Sequence, residues 1–398
     1  MRTPKLIQCA QICAHHAERK GIAVRRFAFV LHPLRLDDFA RKFPFTRWLP
    51  DPLVERLFSV VPPLKVAHVT GVRSPAGEEL EGWLIGLPLT PRLILESPYP
   101  LVLGKLLRAG RMAESFGAEI LGLGAFTKIA GDRGVSLSRQ LQIPVTTGNS
   151  YTTATAVEGA LLGARRLGLD PAASTVAVIG ATGSIGAACC QLLAEEVPEL
   201  TLVARGRERL EELRDTLRER RPDGRFVIET DISTAVRTAD IVIAVSSSPD
   251  AIVAPEDLKA GSLVCDVARP RNLSRLVTER RPDVMVIDGG VIEVPGPDAD
   301  MGFDFGFPPR MVEACMAETM ALALAGRFEN FTLGPSVDPD KVREIHHLAS
   351  REGFRMAGFR RFERAIADTE FDRVRELAHD RRPRVSRAAV RRPAPVRS

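Results

Sequence analysis

The sequence predicts an α/β protein in which a doubly wound parallel sheet follows an α+β domain and precedes a set of C-terminal helices. Three observations lead there. Six short Val/Ile-rich runs recur between residues 172 and 290, each separated from the next by a helical or loop segment. A glycine triplet closes the first of these runs. The region before them mixes short alternating patterns with Pro-rich turns and one strong helical pattern.

Taken in order, residues 1–26 are too polar and broken for a secretory h-region and are expected to be an N-terminal extension. Residues 27–150 follow as a substrate-binding α+β domain, with "LKVAHVTGV" and "EGWLIGLPL" as strands and "PLVLGKLLRAGRMAESFGA" as its helix. Residues 151–290 are expected to be the doubly wound domain. A long helix in "TTGNSYTTATAVEGALLGARRLGLD" leads into "STVAVIG", "ELTLVAR", "RFVIET", "ADIVIAV", "GSLVCDV" and "DVMVIDG". Such runs suit parallel strands buried on both faces. Residues 291–380 open with a Gly/Pro/Asp-rich loop, "VIEVPGPDADMGFDFGFPP", long enough to be a lid or pocket wall. The segments "PPRMVEACMAETM", "DPDKVREIHHLASREGF" and "RRFERAIADTEFDRVRELAHD" are then expected to be helices. Residues 381–398 hold seven Arg and no acid, a basic tail that cannot build a core.

The chain has 398 residues, 45% of them hydrophobic and 26% charged, an ordinary globular balance. Its net charge of +5 comes from the tail, since residues 1–380 carry 48 basic against 50 acidic residues. A near-neutral body gives no reason to expect a nucleic-acid partner. The tail can at most attract an acidic protein or make peripheral contact with an anionic membrane surface. No stretch approaches the roughly 18 apolar residues of a transmembrane segment. The six cysteines (Cys9, Cys13, Cys189, Cys190, Cys265, Cys315) neither form a disulfide framework nor show zinc-ligand spacing, so reduced thiols in a cytoplasm and no metal are expected.

The chemistry concentrates in three places. In "VAVIGATGSIGAACCQLLAEE", Gly180, Gly183 and Gly186 follow a strand and open a helix, and Thr182, Ser184 and Ile185 complete the turn between them. Glycine is needed there for a tight turn, for close approach of the backbone to a pyrophosphate, and for helix N–H groups presented to negative charge. This points to a Rossmann-type dinucleotide site. Where an NAD site carries an acid, "LVARGRERL" offers Arg205, with Arg207 or Arg209 a turn along, so NADPH is expected. Ser247, in "DIVIAVSSSPD", either touches the ribose or carboxamide or is only a turn former. The second place is Cys315. Pro308 and Pro309 are expected to begin its helix, leaving the thiol within about two turns of the N-terminus, where the helix dipole and Arg310 would favour thiolate. Spacing alone is poor evidence for chemistry and favours a core residue at 315, as Cys189, Cys190 and Cys265 are expected to be. The third is the hydroxyl-rich pair "LGAFTKIAGD" and "IPVTTGNSYTTATA". Here Lys128 offers a cation, and Thr147, Gly148 and Asn149 either bind a substrate carbonyl or cap the helix that follows.

With these residues in view, the chain from about Phe27 to Phe359 resembles the long-chain acyl-[acyl-carrier-protein] reductase family, which converts fatty acyl thioesters to aldehydes. The resemblance is carried by "LGAFTKI", "TTGNSYTTA", "VAVIGATGSIGAACC", "LTLVARGRERLEEL", the "SSSP" turn, "PRNL", "DGGVIE" and the set Pro308, Arg310, Ala314, Cys315, Ala317, Glu318 and Met320. It implies that Cys315 takes the acyl group as a thioester, that the glycine triplet holds NADPH, and that the acyl donor is acyl carrier protein or acyl-CoA. Lys128 departs from the family pattern, which has a small hydroxyl residue there. Two other readings stand beside it: a shikimate-dehydrogenase-like or glutamyl-tRNA-reductase-like oxidoreductase, and an NADP-binding sensor without turnover. A large apolar channel ending at Cys315 would favour the fatty acyl substrate, a small polar pocket the hydroxy acid, and a buried cysteine the sensor.

Overall fold

Alternating residues in the first region build a five-stranded mixed sheet. Its strands are β1 (Arg25–Leu31), β2 (Leu64–Arg73), β3 (Glu79–Gly86), β4 (Ile120–Leu123) and β5 (Val145–Thr146), in the order β2-β3-β1-β4-β5. Only β2 and β3 pair antiparallel. Central β1 has its two faces in two different cores, as a period of two requires. Phe27 and Phe29 join one core, and Ala28 and Val30 the core under the helix Tyr99–Ser115. This computed structural model describes residues 24–381 apart from 35, 37, 40–42 and 249. Cys9, Cys13 and the tail beyond 381 lie outside the described residues.

All six Val/Ile-rich runs are strands: β6 (Thr175–Ile179), β7 (Glu199–Val203), β8 (Arg225–Glu229), β9 (Ile241–Ala244), β10 (Leu263–Asp266) and β11 (Met285–Asp288). They form one parallel sheet in the order β11-β10-β9-β6-β7-β8. The order reverses between β6 and β9, which is where doubly wound sheets bind ligands. The linking helix Asn149–Leu167 runs between the two sheets and packs on β10 and on the helix Ser184–Leu193.

After β11 the chain returns to the first sheet. A small antiparallel sheet of β12 (Val291–Glu293), β13 (Met311–Glu313) and β14 (Arg355–Met356) precedes and flanks the cysteine helix Ala314–Leu324. That helix is apolar nearly all round and lies against β1 and β4, with Ala317, Met320 and Ala321 beside Phe27 and Phe29. Three expectations are corrected here. Pro308 and Pro309 do not start the cysteine helix. Residues 311–313 instead ladder with β12, so the helix begins at Ala314 and Cys315 is its second residue. Similarly, "RRFERAIADTEFDRVRELAHD" is not one helix. Arg360–Arg361 pairs with Arg364–Ala365 as a hairpin, its turn held by Glu363 bonding Arg271 at 2.6 Å, and helix resumes only at Asp368. The loop 291–309 likewise opens as strand β12 before it becomes a wall.

Candidate active site

A single cavity of about 1970 Å³ runs from the glycine turn after β6, past Cys315, to the first sheet. This is about twice the upper end of the roughly 300–1,000 Å³ usual for small-ligand pockets.

At one end, Gly180 has φ +87°, and a Cβ on it would stand 2.9 Å from the Ser246 backbone nitrogen. A Cβ on Gly186 would collide with the Gly180 carbonyl. Gly183 is the residue before the helix Ser184–Leu193 and supplies no side-chain cap, so the first-turn N–H groups stay available to an anion. Thr182, Ser184 and Ile185 line the cavity. Of the two arginines open at the second position, Arg209 joins the site, its Nη2 donating to the Thr182 carbonyl at 3.1 Å. Arg207 turns away to pair with Glu211. Arg205 follows β7 on the cavity rim, and Ser247 is exposed past the end of β9. The tight glycine turn and the uncapped first helical turn beside Arg209 fit a dinucleotide.

In the middle, Cys315 is partly exposed on the wall. Gly148, at φ +71°, leaves room for it, because any Cβ there would collide with the Cys315 backbone. Asn149 lines the cavity while 1% exposed, and its Oδ1 has no hydrogen-bond partner. It does not cap the linking helix. Thr147 lies behind the wall, its N–H and hydroxyl both donating to the Thr332 carbonyl. Glu318, one turn after Cys315, takes the capping role. Its fully buried carboxylate accepts from the Tyr151 N–H at 2.8 Å and from the hydroxyls of Thr146 and Thr332 at 2.5 and 2.9 Å.

The thiol's electrostatics differ from expectation. Burial pushes the Cys315 thiol above its ordinary value, the nearby Lys128 charge pulls it back, and Glu313 and Glu318 push it further up. The position in the first helical turn therefore does not yield a depressed thiol. Arg310 is not its cation, since it pairs with Glu293 at 2.6 Å. Lys128 stands on the turn Ala125–Lys128, which also lines the cavity. That turn is anchored by buried His32, whose Nε2 accepts the Phe126 N–H at 2.9 Å, so Nδ1 carries the proton and donates to the Pro33 carbonyl. Burial holds His32 down at about 4, neutral at ordinary pH. Arg269 also lines the cavity, with Nε donating to Glu313 at 2.9 Å.

Sequence reasoning missed His32, Arg269 and the role of Glu318. Glu318 alone had a signal, as the only acid in the apolar helix "ACMAETMALAL". Cys189, Cys190 and Cys265 are fully buried, and burial pushes all three thiols up, Cys189 to about 12.

Toward the first sheet the lining is largely apolar, with His32, Asp38 and Arg133 also on it. Phe29, Leu31, Leu64, Val66 and Leu87 come from the first sheet and its edge, Phe39 and Phe43 from the β1–β2 connection, and Phe303, Phe305 and Phe307 from the loop before β13. Among the described residues there is no cluster of three His, Cys, Asp or Glu side chains placed to hold a metal, and no helix long and apolar enough to cross a membrane.

Residues 162–288 match the family model for shikimate / quinate 5-dehydrogenase. The chain is 31% identical over 298 residues to the aminotransferase PigE of Serratia sp., covering 74% of this chain and 34% of PigE. It thus spans about a third of that relative's length. To the long-chain acyl-[acyl-carrier-protein] reductase of Synechococcus elongatus it is 31% identical over 312 residues, covering 75% of this chain and 88% of that protein. Among solved structures, L-tryptophan dehydrogenase from Nostoc punctiforme is similar with a TM-score of 0.40 and 13% identity, over 90% of this chain and 88% of that one.

Proposed function

Because the chain belongs to the long-chain acyl-[acyl-carrier-protein] reductase family and is a nicotinamide-dependent oxidoreductase, we propose that it reduces a fatty acyl thioester to a fatty aldehyde with NADPH, through an acyl group held on Cys315. The observation that carries this is the continuity of one cavity across the glycine turn, Cys315 and an apolar arm. A hydroxy acid needs no such arm, and a sensor needs no thiol on the cavity wall.

In this reading the Cys315 thiolate, favoured by Lys128, attacks the thioester carbonyl carbon. Asn149 and Lys128 both line the cavity with Cys315, and the Asn149 amide nitrogen and the Lys128 ammonium are the donors assigned to the carbonyl oxygen as its charge develops. The new S–C bond forms as the donor's C–S bond breaks, and the carrier thiol leaves with a proton. NADPH, when bound, supplies the hydride that the acyl carbon needs. Collapse of the resulting hemithioacetal breaks the Cys315 S–C bond, releases aldehyde and restores the thiolate. Gly180, Gly183 and Gly186 shape the pyrophosphate seat, Arg205 and Arg209 take the 2′-phosphate, and Ser247 takes the ribose or carboxamide. The donor is acyl carrier protein or acyl-CoA, and the setting a cytoplasm, in keeping with four free cysteines among the described residues.

The test is mass measurement of the protein after incubation with acyl thioester alone. One acyl group is expected on the peptide Met311–Met320, and Cys315→Ser should abolish both label and aldehyde while NADPH still binds. Normal turnover by the serine variant, or label on Cys189, Cys190 or Cys265, would overturn the proposal.

A further inference from the structure

The connection between β1 and β2 leaves the first sheet through a short turn, Pro44–Trp48, and a helix, Asp51–Val60. That helix is apolar on two sides. Phe58 points inward, its ring centroid 4.1 Å from Phe39 and 5.2 Å from Phe43. Leu53, Leu57 and Val60, spaced i, i+4 and i+7, point outward and are exposed, Val60 by 75%. Phe45 and Trp48, just before the helix, are also exposed, Trp48 by 88%. The helix is tied to its neighbours. Glu55 accepts from Thr90 and pairs with Arg92, and Lys105 donates to the Val61 carbonyl at 2.6 Å. Those neighbouring helices carry exposed Leu95 and Leu101. Seven of the ten exposed large hydrophobics among the described residues therefore belong to this one corner. A helix apolar on both sides calls for a covering on its outer side as well.

We propose that this corner docks on a lipid bilayer surface. The cavity's apolar arm passes beneath the same connection. Phe39 and Phe43 line it from inside, Leu95 is at once cavity wall and exposed surface, and the Phe43 ring lies 6.2 Å from that of exposed Phe45. An aliphatic chain following the arm outward emerges among exposed apolar side chains. Arg47 and Arg56 stand exposed beside Trp48 and Leu57, the pairing of aromatic and basic residues that suits a headgroup boundary. The acyl reading supplies only the cargo; the surface itself stands apart from it.

The full chain should bind vesicles of phosphatidylcholine, and more tightly vesicles that also contain phosphatidylglycerol. Trp83 is only 9% exposed, so a blue shift of tryptophan emission on binding reports Trp48. Leu57→Glu with Val60→Glu should remove the shift and weaken partitioning by at least about tenfold. Turnover of a short, water-soluble acyl thioester should not change. No binding to either vesicle, or equal binding by the double variant, would overturn the proposal, the latter by assigning the contact to the basic tail. So would a blue shift that appears without lipid, rises with protein concentration and accompanies a dimer that the double variant dissolves, which would make the corner an interface between copies. Failure of the unmodified protein to turn over the short thioester would instead count against the acyl reading and leave the vesicle result standing.

Discussion

In the proposed reaction Cys315 is a nucleophile held in check, because burial and two nearby carboxylates outweigh the single cation Lys128. Its thiol sits above its ordinary value, so the thiolate fraction, and with it acyl transfer, should rise with pH across the neutral-to-alkaline range. Lys128→Met removes the one charge that favours thiolate. The rising limb of acyl-enzyme formation should then move to higher pH, and an unmoved limb in single-turnover measurements would rule out this role for Lys128. Arg205 and Arg209 permit a second residue-scale test. Replacing both with alanine should remove most of the preference for NADPH over NADH, on the order of ten- to hundredfold, since a charged phosphate contact contributes about 1.5–3 kcal/mol. Titration of each cofactor by fluorescence would show it. The place of Arg209 beside the glycine turn was legible in the sequence, because its spacing after the second strand sets it there. His32 was not, because its role is to accept one N–H from residue 126, a contact made only by folding.

At the scale of elements, the linking helix and the cysteine helix meet start to start, with Gly148 at the point of contact. Gly148→Ala places a methyl group in a left-handed conformation and against the Cys315 backbone. A loss of about 2–5 kcal/mol in unfolding free energy is expected, with loss of acylation, while the glycine turn after β6 should still bind cofactor. Unchanged chemical denaturation would contradict the contact. The same scale separates what local sequence could predict from what it could not. The strands β6 to β11 were plain as Val/Ile-rich runs, because parallel strands buried on both faces leave no room for polar alternation. The start of the cysteine helix was not, because Met311–Glu313 becomes strand only through β12, some twenty residues upstream. The hairpin at 360–365 depends in the same way on Arg271 and Asp288, partners far away in the chain.

For the whole molecule, the proposed reaction makes the arm toward the first sheet the limit on what length of acyl chain the cavity buries. Val66→Phe would fill part of it from β2. Each methylene then left outside forfeits about 0.8 kcal/mol, close to fourfold, so kcat/KM should fall for long acyl chains and hold for short ones. A uniform loss across a chain-length series would mean that the arm does not receive the acyl group. The return of the chain to its first sheet has a further consequence, for synthesis. β1 and β4 are complete by residue 123, but the helix that covers Phe27 and Phe29 begins only at residue 314. While the ribosome adds the intervening segment, the nascent first sheet has one apolar face with nothing to cover it. Cys315 and the last wall of that core arrive on the same helix, so the cysteine cannot take its place on the cavity wall before the earliest-made layer is closed. In the interval that open face is a natural target for chaperones and a point of aggregation.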